Sequence, residues 1–139
     1  MIEISSNSEK GLLYANFKGL VEPEHIHRLN QVLPDLLRPL PQDFTVLCDL
    51  SGMEVMDFAC SSLVAEVMQK IALAGVARVI RVIPDPRKDI GFGILSIFHY
   101  PSRIIVNHFN CLEEALEYLE LNPRDLAAGK QTHILEPLS

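Results

Sequence analysis

The chemically most capable side chains of this sequence are concentrated between residues 49 and 62. They comprise three carboxylates, one thiol and three hydroxyls: Asp49, Glu54, Asp57, Cys60, Ser51, Ser61 and Ser62. Carboxylates can hold a divalent cation or act as general acids and bases, and a thiol or hydroxyl can act as a nucleophile. Nucleophilic catalysis also needs a base held against the nucleophile, and the sequence contains no G-x-S-x-G elbow. We therefore predict no enzymatic activity, and we expect the acids to form a solvated loop rather than a metal site.

The same segment joins a strand to a helix. Residues 44–48 are nearly all apolar, which predicts a central, buried strand. From Ser61 to Ala74 the apolar residues recur at helical spacing. The N-terminus of such a helix has unpaired N–H groups and a partial positive charge, which suit phosphate or carboxylate groups. Asp57 is well placed to cap this helix, so the loop before it is expected to be a site of recognition or regulation.

Strand and helix patterns alternate along the rest of the chain. Further strands are predicted around Ile2–Ile4, Leu13–Phe17, Ala77–Ile83 and Arg103–Phe109, and further helices at Glu22–Leu37, Arg87–His99 and after Asn110. This alternation predicts an α/β fold with a mixed, mostly parallel sheet of about five strands and about four helices. The first strand is expected at the sheet edge, and Pro34 is expected to kink the first helix or to begin a new one. One domain is predicted over residues 1–121, with residues 122–139 as a C-terminal tail.

Composition and charge exclude several kinds of partner. The 139 residues carry a net charge of −6, which argues against nucleic acid. No apolar run approaches the roughly 20 residues that span a bilayer, and Met1–Lys10 does not resemble a signal peptide, so a cytoplasmic protein is expected. The three cysteines form no C-x-x-C pair, and His25 and His27 point to different sides of a helix, where both are expected on the surface. We predict no metal and no cofactor, and Cys60 is the one thiol expected to merit a functional test.

The order of these elements, together with three short motifs, resembles a STAS domain, the fold shared by bacterial anti-sigma-factor antagonists and the cytosolic tails of sulfate transporters. The motifs are Val46–Met53, Met56-Asp57 before a helix, and Cys111–Leu116 after Val82–Asp85. The resemblance extends from about Gly11 to Leu121. It implies a SpoIIAA-like fold and a non-enzymatic regulatory role, in which an anti-sigma-factor-like kinase or sensor binds around the helix start. A homodimer is also compatible with this role.

The family signature at this helix start is an aspartate, two serines and a glycine, of which the second serine is phosphorylated. Asp57 matches the aspartate. The next three residues, Phe58, Ala59 and Cys60, stand where the two serines and the glycine would be. Since alanine has no hydroxyl, the resemblance implies a site without the usual switch, and the two serines that follow are alternative acceptors about 200–300° further around the helix. The predicted partner-binding residues are Asp49, Asp57, Phe58, Ala59, Cys60, Ser61 and Ser62.

A second hypothesis concerns an apolar ligand. The stand-alone SpoIIAA-like group, which the Met-Ile-Glu-Ile start of this chain also resembles, shares its fold with lipid-binding CRAL-TRIO modules. That resemblance implies a small, lipid-like ligand or a carrier role. The residues predicted to form such a pocket, or an apolar interface, are Phe92, Ile94 and Phe98.

Overall fold

The computed structural model describes residues 1–83, 100–127 and 131–136. These residues form a sheet with the six strands β1 (Ile2–Asn7), β2 (Leu12–Val21), β3 (Thr45–Met56), β4 (Arg78–Val82), β5 (Ile105–Phe109) and β6 (Gln131–Leu135). They also form the α-helices α1 (Pro23–Leu37), α2 (Ser61–Leu73), α3 (Leu112–Leu119) and α4 (Pro123–Ala127), and a 3-10 helix at Phe58–Cys60. None of these described helices is long and apolar enough to cross a membrane. The helix predicted at Arg87–His99 lies outside the described residues.

The sheet is mixed and has the strand order β5-β4-β3-β2-β1-β6. The neighbours from β2 to β5 run parallel, while β1 pairs antiparallel with both β2 and β6. Parallel neighbours require a crossover connection. α1 supplies it between β2 and β3, and α2 supplies it between β3 and β4. The predicted mixed, mostly parallel α/β sheet is confirmed, with six strands rather than five.

The sixth strand comes from the segment that was expected to be a tail. Because β6 pairs along β1, the first strand is internal, and the expectation that it forms the sheet edge is wrong. α4 is fastened to the same strand: Ser5 Oγ donates to the Leu126 carbonyl at 2.7 Å. Asn7 Nδ2 donates to the Asp125 carbonyl at 3.1 Å. A short edge strand is stabilised by its neighbour more than by its own pattern, which is why the periodicity of residues 131–135 did not reveal it.

Both faces of the sheet are covered. Alternate side chains of β2 point to opposite faces. Leu13, Ala15 and Phe17 pack in one apolar cluster with residues of α1 and α2. Leu12 and Tyr14 pack in a second cluster with residues of α3 and α4. β2 and β3 are therefore packed on both faces, and the turn that follows the C-terminal end of β3 starts from an ordered strand.

α1 continues through Pro34, so no new helix begins there. Proline has no N–H, which leaves the carbonyl of Asn30, four residues earlier, without its helical donor. Lys70 on α2 supplies a replacement, because its Nζ lies 3.2 Å from the Asn30 carbonyl oxygen and 3.1 Å from Asn30 Oδ1. Asn30 Nδ2 in turn donates to the Leu63 carbonyl at 3.1 Å. The proline is tolerated because α2 provides the missing donor, and the same contacts fix α1 to α2.

Candidate functional site

The segment expected to be an acidic loop is largely strand. β3 extends from Thr45 to Met56, so the loop predicted over residues 49–56 is wrong. Its first part pairs with both β2 and β4, up to Asp49↔Val82. Beyond that point, among the described strands, it pairs with β2 alone, and the pairing contains two register shifts. The strand continues because β2 also continues to Val21 and offers backbone partners along its whole length.

The side chain of Asp49 forms hydrogen bonds within its own strand, β3. Its side chain is buried, and Oδ1 accepts hydrogen bonds from the Ser51 N–H at 2.9 Å and from the Ser51 hydroxyl at 2.6 Å. A carboxylate that is buried and bonded to its own strand has little surface to offer a partner. The predicted role of Asp49 as a partner contact is therefore replaced by a role in shaping β3.

Asp57 is a cap, as the sequence predicted, but of the 3-10 helix rather than of α2 directly. Its Oδ1 accepts a hydrogen bond from the Ala59 N–H at 2.9 Å. Its backbone N–H donates to the Val21 carbonyl at 2.9 Å, and its carbonyl accepts from the Cys60 N–H at the same distance. These bonds fix the turn between β3 and α2 to the end of β2. Asp57 remains exposed, so its second oxygen is available to a partner.

The turn presents an exposed aromatic side chain. Phe58 is 71% exposed, and Ala59 and Ser62 are also exposed, while Ser61 is half-buried. We call Asp57, Phe58, Ala59 and Ser62 together the Phe58 surface. Leu20, at the same end of the sheet, is 47% exposed and was not predicted. The local sequence around Leu20, an apolar residue beside Gly19, does not indicate that its side chain faces solvent.

Cys60 lies beneath the Phe58 surface rather than on it. Its side chain is fully buried, and its Sγ lies 3.7 Å from the Val21 carbonyl oxygen. Burial, together with the nearby charges of Asp57 and Glu22, raises the pKa of the Cys60 thiol to about 11. A thiol with a raised pKa is a poor nucleophile at neutral pH. The expectation that Cys60 contacts a partner is therefore not supported, and the thiol acts as a small apolar anchor.

His25 is also buried, contrary to the surface position expected for it. Its Nδ1 accepts a hydrogen bond from the Glu22 N–H at 2.9 Å and closes a capping box at the start of α1. The proton of the neutral ring therefore lies on Nε2, which is buried without a hydrogen-bond partner. Burial lowers the pKa of His25, with the chain's N-terminal ammonium as a further cause. No group of three or more metal-ligating side chains occurs among the described residues.

A cavity of about 70 Å³ lies between the sheet and the helices α1 and α2. Its walls are almost wholly apolar and include Ala15 on β2, Leu29 on α1 and Val67 on α2. Two polar side chains, Arg81 and Tyr100, are among the residues that line it. The residues predicted for an apolar pocket, Phe92, Ile94 and Phe98, lie outside the described residues. The described residues that line the cavity are core residues that were not predicted to bind a ligand.

Comparison with solved structures identifies similar folds, among them the following two. One is the anti-sigma factor antagonist SpoIIAA in its unphosphorylated form, with a TM-score of 0.59 and 15% identity over 86% of this chain and 98% of that chain. The other is an uncharacterised DUF3478-family protein with a SpoIIAA-like fold from Shewanella loihica, with a TM-score of 0.63 and 15% identity over 86% of this chain and 92% of that chain. No protein-family model and no curated protein sequence matches the chain. The chain therefore has the SpoIIAA-like fold that its sequence motifs predicted.

Proposed function

We propose that this protein is a non-enzymatic regulatory domain that binds a partner protein through the Phe58 surface. The observation that carries this proposal is the 71% exposure of Phe58 on a turn whose backbone is fixed by Asp57 and Val21. Large aromatic side chains that are exposed on a rigid backbone are typical anchors of protein interfaces. The similarity of the fold to an anti-sigma factor antagonist supports a partner of the anti-sigma-factor or sensor kind.

The proposed interaction does not depend on phosphorylation of the residue at position 59. Ala59 is exposed beside the capping carboxylate of Asp57, and it has no hydroxyl to accept a phosphate. Ser62 is the exposed hydroxyl of the same surface. A phosphate on Ser62 would add negative charge close to Asp57, and we expect it to weaken binding to a partner that contacts Phe58.

Site-directed photo-cross-linking in the native host tests the proposal. A photoreactive benzoyl-phenylalanine at position 58 should give a discrete cross-linked band. The matched control is the same amino acid at position 118, because Tyr118 is also an exposed aromatic, at 49%, and lies on α3. The captured protein should bind the purified domain. Asp57→Lys should abolish that binding, while the loss of its capping bond to the Ala59 N–H lowers the melting temperature only slightly.

Three outcomes would contradict the proposal. Equal cross-linking from positions 58 and 118 would indicate non-specific contact, and no cross-link from position 58 would show that the surface is unoccupied in the host. Loss of binding in Asp57→Lys only together with global unfolding would also count against it. A band at twice the mass of the chain would instead identify the partner as a second copy and the complex as a homodimer.

A second candidate function is the binding of a small apolar ligand. The observation that favours it is the apolar cavity beneath α1 and α2. Native proteins pack their interiors with few voids larger than a water molecule. A cavity of about 70 Å³ in the main core is therefore a candidate binding site, independent of the Phe58 surface.

A further inference from the structure

A charged side chain, that of Arg81, lines the apolar cavity. In the register of the parallel strands, Ala15, Cys48 and Arg81 are direct neighbours on β2, β3 and β4, and all three line the cavity. The Arg81 guanidinium carbon lies 5.9 Å from the centre of the Tyr100 ring. Among the described lining residues, Arg81 is the one that carries a charge.

The groups around Arg81 leave its positive charge without a counter-ion in the described part of the chain. No carboxylate of the described residues lies within ion-pair distance of Arg81. Burial raises the pKa of Cys48 to about 12 and also raises that of Tyr100, which shares a hydrogen bond with Arg81, so both stay protonated. His108, the neighbour of Arg81 on β5, has its pKa lowered by burial and by Arg81, so it stays neutral. A cation beside an apolar cavity favours an anionic ligand group.

The volume of the cavity limits the length of a ligand. At about 70 Å³ it has about half the volume of an engineered apolar cavity of about 150 Å³ that holds benzene. A lipid chain is too large for this space, whereas an aliphatic group of about three or four carbons is of the right size. The planar guanidinium of arginine matches a carboxylate, because it can donate two parallel hydrogen bonds.

We propose that the cavity binds a short-chain aliphatic carboxylic acid. The hydrocarbon part lies among the apolar side chains beneath α1 and α2, and the carboxylate is held by the Arg81 guanidinium and the Tyr100 hydroxyl. This ligand class presupposes the second candidate function, ligand binding in the cavity, and narrows it from a lipid to a small acid.

Titration of the full chain with three ligands of equal length, followed by ¹⁵N NMR, tests the proposal. We expect pentanoate to bind about tenfold more tightly than 1-pentanol, and pentylamine to bind less tightly than either. Arg81→Met should weaken pentanoate to the level of the alcohol and leave the alcohol unchanged. Tyr100→Phe should weaken pentanoate by a smaller factor.

Arg78→Met is the matched control. Arg78 lies on the same strand, and its guanidinium carbon lies at the same distance of 5.9 Å from a tyrosine ring, that of Tyr118, on the other face of the sheet. It should not change pentanoate binding. If Arg81→Met fails to fold, Arg81→Lys takes its place, since it keeps the charge and loses the paired donors.

The possible outcomes distinguish two claims: that the ligand is a carboxylic acid, and that the cavity binds a ligand at all. Equal affinity for pentanoate and 1-pentanol would leave ligand binding intact and overturn the role of Arg81. An equal loss of pentanoate binding in Arg78→Met would assign the effect to general charge rather than to the cavity. If none of the three ligands shifts the cavity resonances at about 10 mM, tenfold above a Kd of about 1 mM, both the acid ligand and the second candidate function are wrong.

Discussion

The segment from Asp49 to Ser62 contains two sets of residues with opposite environments. In the first set the side chains are buried, and it consists of Asp49, Leu50, Met53, Met56 and Cys60. The second set is the Phe58 surface, whose side chains face solvent. The side chains of the first set pack in the core, whereas the second set is held to β2 by a backbone bond, from the Asp57 N–H to the Val21 carbonyl.

Within this one short segment, the buried set stabilises the fold and the exposed set is available to bind a partner. A partner that binds Phe58 meets a turn that is already ordered by the buried residues beneath it. An ordered binding surface loses little conformational entropy on association, which favours affinity. Changes to Phe58, Ala59 or Ser62 should therefore alter binding and leave folding intact, whereas a change to Asp57 also removes the capping bond to the Ala59 N–H. Changes in the buried set should mainly destabilise the fold.

The largest effect on folding is expected from Met56→Ala. Met56 is buried in the main core at the end of β3, and its truncation should cost about 2–5 kcal/mol of the free energy of unfolding. Urea denaturation followed by circular dichroism measures the loss. A cost below about 1 kcal/mol would show that the end of β3 is not part of the folded core.

A smaller loss is expected from Asp49→Ala. The substitution removes the acceptor of two hydrogen bonds from Ser51 and should cost about 1–2 kcal/mol. Asp49→Asn keeps one oxygen in the accepting position and is the matched control, with a smaller loss. If Asp49→Ala retained full stability and lost partner binding, Asp49 would belong to the exposed set after all.

The sequence predicted the elements on either side of the segment more accurately than the segment itself. Residues 44–48 and 61–74 have strong, regular apolar patterns, and both were assigned correctly. β3 has one residue more than β2 at each of the two register shifts, which breaks the alternation that identifies a strand. The cap at Asp57 follows from local chemistry and could be predicted. The burial of Cys60 depends on the end of β2, about forty residues away, and no local pattern encodes it.

Low pH should reduce the stability of the folded protein through His25, at the start of α1. Its folded-state pKa is lowered, so the neutral ring is favoured in the folded protein and stability is lost as the pH falls below the unfolded value of about 6.5. Protonation of Nδ1 would also break the bond to the Glu22 N–H at the start of α1. The loss should be at most about 1.4 kcal/mol per pH unit.

Urea denaturation at pH 7 and pH 5 measures this loss, with His25→Gln compared with the parent. His27→Gln is the control, because His27 is exposed on the same helix. The stability of His25→Gln should depend less on pH than that of the parent and of His27→Gln. An identical pH dependence in all three proteins would show that protonation of His25 does not cause the loss of stability at low pH.

The smallest effect on folding is expected at the residue with the largest expected effect on binding. Phe58→Ala removes a side chain that is 71% exposed, so the free energy of unfolding should change by less than about 0.5 kcal/mol. Partner affinity should fall by at least about thirtyfold, which corresponds to about 2 kcal/mol for an aromatic anchor. Tyr118→Ala, which removes an exposed aromatic side chain from α3, should leave affinity unchanged. An exposed side chain contributes little to the packing of the core, but it can contact a partner. A substitution that abolishes partner binding and leaves the unfolding curve unchanged should therefore occur only on the Phe58 surface.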